Sequence, residues 1–227
     1  AGGTPVAEAS VVCHRWAAST GSDTNAGTAA APVQTLRTLA NKLNPGETGC
    51  VKAGTTLNTA GGWGIITKGG TAGSPITIRS EPGGRASISG QVLVEHNVTD
   101  VVLADLTFTG SPNTPKAVLI NVIGDRVTLA GNDITNPWGI CVSGGTMDAY
   151  SHNANGHRAD NLVITNNRIH HCGVSNTLVW SDTDSGNHGI YLVQTVGAQV
   201  THNVIHHNKY RGLQTWPKAD GTLIANN

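Results

Sequence analysis

The phrase NLVITNNRIHHC at Asn161–Cys172 returns later in the chain as AQVTHNVIHHN at Ala198–Asn208, and this self-similarity constrains the fold more than any other feature. Further copies are legible as VLVEHNVTDVVLADLTFTG from Val92, VLINVIGDRVTLAGNDITN from Val118, and GICVS at Gly139 resuming at Arg158. Two more begin at Gly189 (GIYLVQ) and Gly212 (GLQTWPKADGTLIANN). Each copy holds short runs in which apolar and polar residues alternate, the period of a strand. Inserted loops aside, one copy takes roughly 22 to 26 residues, too short for a pair of helices and too strand-rich for a leucine-rich repeat. A unit of this size cannot bury its apolar side chains alone, so the copies must stack as a coil of strands.

Within the repeat, Asn132, Asn167 and Asn203 each stand two residues before an isoleucine, Ile134, Ile169 and Ile205, and Asn227 continues the series. A coil of short strands must bend sharply between them, and Asn tolerates the left-handed conformation that a sharp bend demands. Rungs about 4.8 Å apart would let the carboxamides bond to one another as a ladder. These asparagines are therefore expected to be structural.

Composition agrees with many strands and tight turns: 29 glycines, one Met and one Phe in 227 residues. Fourteen basic residues balance fourteen acidic ones and 12% of the chain is charged, which excludes recruitment of nucleic acid or a membrane surface by bulk charge. No apolar run reaches the roughly 20 residues that span a bilayer, and no leader precedes Ala1, as expected for a mature secreted chain. The four cysteines permit three pairings. Locality favours Cys13 with Cys50 and Cys141 with Cys172, buried free thiols being the alternative. Zinc-type Cys-x-x-Cys or Cys-x-x-His spacings do not occur.

At this point the chain resembles the right-handed parallel β-helix proteins of the pectate-lyase-like group. The stretch STGSDTNAGTAAAPVQTLRTLANKLNPGETGCVKAGTT (Ser19–Thr56) is similar to the opening of many secreted polysaccharide-degrading β-helices, and GTAGSPITIRSEPGGRASISG (Gly70–Gly90) matches as well. The resemblance implies an all-β coil preceded by a capping helix and a secreted protein that acts on carbohydrate. Independently, Val33, Leu36, Leu39, Ala40 and Leu43 fall on one helical face, and Pro45-Gly46 stops the pattern. A capping helix is thus expected within 31–45, in one domain spanning 1–227. The chain stops at Asn227 within a repeat, so either a continuation or a covering partner is expected there; otherwise the protein is expected to be a monomer.

Fold and chemistry must be argued separately. Two insertions, 144–157 and 173–188, interrupt the coil, and long loops on a rigid platform are where sites usually lie. If strands begin at Ile140, Ile190 and Leu213, alternation turns Ile140, Val142, Ile190, Leu192, Leu213 and Thr215 inward and Cys141, Tyr191, Gln214 and Trp216 outward. Trp138, His188 and the trio Lys209, Tyr210, Arg211 precede these strands, and the second insertion adds Trp180, Asp182 and Asp184. Together they can line a groove of aromatic platforms, two cations and two carboxylates, in which sugar rings pack on the aromatic faces and the cations fit a uronic acid carboxylate.

Cleavage of an acidic polysaccharide by β-elimination needs a base for the proton α to the carboxylate and a cation for the charge that develops. Lys209 or His188 is the candidate base, Arg211 the stabiliser, and Tyr191 or Tyr210 the proton donor. Trp138, Trp180, Tyr210, Gln214 and Trp216 are the candidate sugar-binding residues. A glycoside hydrolase would instead need two carboxylates, for which Asp182, Asp184 and Asp148 are the candidates. A non-catalytic carbohydrate-binding or surface-adhesion coil is the third reading. Asp182 and Asp184, with Asn187, also suggest an irregular calcium site, although Gly186 and Val193 exclude an EF-hand.

The histidines divide into two groups. His170 with His206, and His171 with His207, should stack on neighbouring rungs; stacked imidazoles can bind a transition metal or relay protons, but repetition with the scaffold favours a structural column. His188 lies outside the repeated phrase, where an insertion meets a strand, and ranks first among the histidines. Asn97 opens a formal glycosylation sequon in a turn, a weak signal.

Overall fold

The computed structural model describes residues 11–59, 63–112, 118–145, 158–175, 187–216 and 218–227. Three stacks of parallel strands wind around one apolar interior. Face A comprises Arg15–Ala17, Thr48–Val51, Ile76–Ser80, Thr99–Ala104, Asp125–Ala130, Val163–Thr165, Gln199–Thr201 and Leu223–Ala225. Face B holds Thr56–Asn58, Ser87–Ser89, Thr107–Thr109, Asp133–Thr135, Arg168–His170 and Val204–His206. Face C holds Gly64–Ile66, Val92–Val94, Ile120–Val122, Val142–Gly144, Ile190–Leu192 and Leu213–Thr215. Three two-residue strands, Ala159–Asp160, Thr195–Val196 and Ala219–Asp220, pair along the corner between faces C and A.

In the three-residue strands of face B the central residue points inward. The column Leu57, Ile88, Phe108, Ile134, Ile169, Ile205 follows from the register. On face A, Ile78, Leu103, Leu129, Ile164 and Val200 stack in the same way. Apolar columns with a like residue above and below satisfy close packing without long-range jigsaw fitting, and each backbone group finds its partner on the next rung.

The asparagine ladder is present. Backbone N and Nδ2 of Asn132 donate to Oδ1 of Asn167 (2.9 and 3.0 Å), Asn167 donates likewise to Asn203 (2.9 and 3.0 Å), and Asn203 to Asn227 (3.0 and 2.8 Å). The left-handed residue, however, is the one before: Gly131, Asn166, His202 and Asn226 have φ of 66°, 56°, 58° and 56°. The expectation that the ladder asparagines themselves turn the corner is corrected accordingly. The corner residues Asn166, His202 and Asn226 are exposed, while a ladder carboxamide must point into the bend to reach the carbonyls left open there, such as Leu103, Leu129 and Ile164.

The capping helix, α1, is shorter than the 31–45 expected: it spans Leu36–Asn41, with Thr35 as N-cap accepting from the N–H of Thr38. Val33 lies outside it because its backbone bridges to Ala17 and extends face A. All five expected apolar residues are nonetheless buried. Gly49 permits the approach, since a Cβ there would stand 2.9 Å from Cγ of Leu39. Disulfides join Cys13 to Cys50 and Cys141 to Cys172, as locality suggested.

Candidate functional site

Face C fixes the candidate site. Its register pairs Ile120 with Val142, Val142 with Ile190 and Ile190 with Leu213, so the outward row runs Asn121, Ser143, Tyr191, Gln214. The expected alignment of Ile140 with Ile190 is therefore two residues out. Cys141, expected to face outward, is buried in the main core and bonded to Cys172, and Ile140 packs in a separate small cluster with Val118, Tyr191 and Val193. The register is the reason: Leu119, Cys141 and Gly189 hold equivalent places just before the face C strands, Leu119 is buried in the same core as Cys141, and the strands begin at one level in rungs with and without a disulfide.

Several of the expected residues meet at the end of this face. His188 lies against two tyrosines, its ring centroid 5.1 Å from Tyr191 and 5.3 Å from Tyr210. The Arg211 guanidinium stands 5.0 Å from the Tyr210 ring centre, and its Nη2 is 3.4 Å from the phenol oxygen. Gln214 is the register partner of Tyr191. The strand geometry explains the cluster: Gly189 and Ile190 donate to Arg211 and Gly212 carbonyls, which locks the approach to one strand beside the approach to the next.

Burial divides this group. His188 is fully buried and Tyr191 is 8% exposed, so neither is the open groove wall that alternation implied. Tyr191 does point away from the main core, but it is covered within the Val118–Ile140–Val193 cluster. Tyr210, Trp216, Lys209 and Arg211 are exposed, the two rings at 44% and 57%, and Gln214 is half-buried. Trp216 follows the last face C strand, its N–H donating to the Leu192 carbonyl, and Lys209 is anchored by a bond from its N–H to the Cys172 carbonyl. Trp138 sits one rung earlier, half-buried in the turn before Cys141, whose N–H reaches the His188 carbonyl. Trp180, Asp182, Asp184 and Asp148 lie outside the described residues.

Two residues on the floor of this face escaped the sequence reading. Asn121 and Ser143 occupy the outward row beside Tyr191, and Oδ1 of Asn121 is buried with no hydrogen-bond partner among the described residues. Aligning Val92, Ile120 and Val142 as equivalents would have found them; starting the series at Ile140 hid them. At the opposite end of face C, a cleft of about 420 Å³ is lined by residues that include Arg37, Asn58 and Trp63.

Cations and aromatic rings dominate the exposed part of the site. Between 187 and 216 the chain carries Lys209 and Arg211 and no Asp or Glu. Such a surface can stack a sugar ring and neutralise a carboxylate on it.

Comparison with known proteins agrees with the topology. A pectate lyase structure superposes with a TM-score of 0.71 at 17% identity, covering 94% of this chain and 53% of that one. An alginate lyase from Paenibacillus sp. str. FPU-7 gives 0.57 at 17% identity, covering 83% and 61%. A lacto-N-biosidase from Eubacterium ramulus gives 0.54 at 14% identity, covering 94% and 55%. This chain thus spans less than two thirds of each of these structures, and at such identities the likeness is one of fold. No curated protein matches in sequence. A family model for the right-handed beta helix region matches residues 86–227, and the chain belongs to that family.

Proposed function

We propose that this right-handed β-helix is a secreted, carbohydrate-active enzyme that cleaves an acidic polysaccharide by β-elimination at the Tyr210 end of face C. The observation that carries the reading is the Arg211 guanidinium stacked on the exposed Tyr210 ring, beside Lys209, in a stretch without carboxylates. Its β-helix neighbours include two lyases of acidic polysaccharides, which supports the substrate class. Two disulfides suit an oxidising compartment.

The chemistry assigns a role to each group. A uronic acid ring lies against Trp216 and Tyr210, with its carboxylate on Arg211. The Lys209 amine removes the proton α to that carboxylate; the electron pair becomes a carbon–carbon double bond as the glycosidic carbon–oxygen bond breaks. Arg211 stabilises the charge that gathers on the carboxylate, and the Tyr210 hydroxyl returns a proton to the departing oxygen. His188 is too deeply buried to act as the base and is instead a positioning residue that holds the Tyr210 ring. Asp182 and Asp184 would be the carboxylates to hold a calcium ion, whose charge would neutralise substrate carboxylates. The test is lyase activity: an unsaturated product on an acidic polymer, lost in Lys209→Ala and Arg211→Ala.

A further inference from the structure

At the end of face C remote from Tyr210, a cleft of about 420 Å³ opens where the first strand of that face, Gly64–Ile66, packs against α1. Five rung steps of about 4.8 Å, about 24 Å in all, separate this strand from Leu213–Thr215. The volume suits a small ligand. Elimination at the Tyr210 end makes no use of it.

The floor is apolar, and a glycine keeps it open. Leu36 of α1 and Leu57 of face B are buried there. A Cβ on Gly64 would stand 2.7 Å from Cγ2 of Thr59 and 3.5 Å from Cδ1 of Leu36, so a larger residue would crowd the seam between helix and coil. Trp63, immediately before the strand, lines the cleft and is 36% exposed. An indole this open on the wall of a concave, apolar-floored site offers a face on which the C–H side of a sugar ring packs.

Charge selects the kind of sugar. Asp23 and Arg37 are the charged side chains of the lining, and they differ in what they have left to give. Oδ1 of Asp23 accepts from the N–H groups of Gln34 and Thr35, both at 2.9 Å, and Oδ2 accepts from the Thr35 hydroxyl at 2.8 Å. Burial opposes its ionisation, but these bonds outweigh burial and hold the carboxyl below the usual carboxylate range. Its lone pairs are thus spent on the start of α1. Arg37 is exposed and, among the described residues, makes no hydrogen bond or ion pair. The guanidinium is the unmatched charge of the cleft, and its planar fork of N–H donors fits a carboxylate in two-pronged fashion.

We infer that this cleft is a second, non-catalytic carbohydrate site, which takes a uronic acid residue of an acidic oligosaccharide with the ring on Trp63 and the carboxylate on Arg37. The site is independent of elimination at the Tyr210 end and holds its ligand whether or not this chain cleaves it.

The test is an NMR titration of the isotope-labelled full chain with trigalacturonate, trimannuronate and neutral cellotriose, read at the indole N–H of Trp63. Of the five tryptophans, Trp63 is identified by the signal lost in Trp63→Phe, or through the backbone should that variant not fold. The signal shifts saturably with an acidic trisaccharide and binds cellotriose at least about 10-fold more weakly; Arg37→Ala weakens the acidic ligand about 10-fold. In Arg211→Ala, which leaves the probe uncleaved, the Trp63 shift and its affinity are unchanged. Far-UV circular dichroism confirms that each variant keeps the coil. Absence of a saturable Trp63 shift, equal affinity for cellotriose, undiminished affinity in folded Arg37→Ala, or loss of the shift in Arg211→Ala overturns the proposal.

Discussion

Asn167 donates both its backbone N–H and its side-chain Nδ2 to the single oxygen Oδ1 of Asn203, at 2.9 and 3.0 Å, in a corner where both side chains are buried. Asn167 also donates to the Leu129 carbonyl and accepts two bonds from Asn132. Replacing it with Ala leaves a buried carbonyl and a buried N–H without partners. Asn167→Ala should therefore destabilise the chain by about 2–4 kcal/mol, measured as a lowered urea midpoint with an unchanged slope.

Acid should loosen the coil in two steps. His171 and His206 are held below the ordinary histidine range by partial burial first and by neighbouring positive groups second, so the unfolded chain binds more protons than the folded one below about pH 6.5. Stability is then complete above that pH and falls as pH drops below it. Asp100, hydrogen-bonded by Arg126 at 2.9 and 2.8 Å, is held below the usual carboxylate range by that partner. Its contribution is present above about pH 4 and is lost as pH falls through the lower folded value. Melting temperature against pH should show both limbs; His171→Asn should flatten the upper one and Asp100→Asn the lower.

The Cys141–Cys172 bond closes a loop with a sequence separation of 31. Chain-entropy reasoning puts its contribution at about 3–4 kcal/mol. A Cys141→Ala, Cys172→Ala double variant should lose that much in chemical unfolding.

At the site itself, Arg211→Ala should lower kcat about 10²- to 10³-fold by removing a charge that matters in the transition state. Trp216→Ala should instead raise KM several-fold, worth about 1 kcal/mol of ring stacking, with a smaller change in kcat. Steady-state kinetics separates the two, and equal effects on both parameters would argue against these roles.

The sequence carried the fold because its repeat is written in the residues that do the stacking. Ile134, Ile169 and Ile205 recur at the inward centre of face B, and Asn132, Asn167 and Asn203 recur at the adjoining corner. What it did not carry were effects that one rung exerts on another. The left-handed corner residue is sometimes Gly131, sometimes Asn166, sometimes His202, so identity there does not repeat even though conformation does. The likeness of GICVS to GIYLV set Ile140 beside Ile190, whereas the register pairs Val142 with Ile190, which leaves Ile140 outside the core row and hid Asn121 and Ser143. The cluster of His188, Tyr191, Tyr210 and Arg211 was legible because all four flank one strand pair, yet the burial of His188 depends on contacts that alternation alone does not describe.

The most direct measurement is a screen of the purified chain against pectate, alginate, glycosaminoglycans and neutral glycans, with and without calcium, reading absorbance of unsaturated uronide together with new reducing ends. Elimination at the Tyr210 end of face C predicts both signals on an acidic polymer, abolished in Arg211→Ala. Reducing ends without absorbance would show hydrolysis instead, and silence on every polymer would contradict catalysis by this chain.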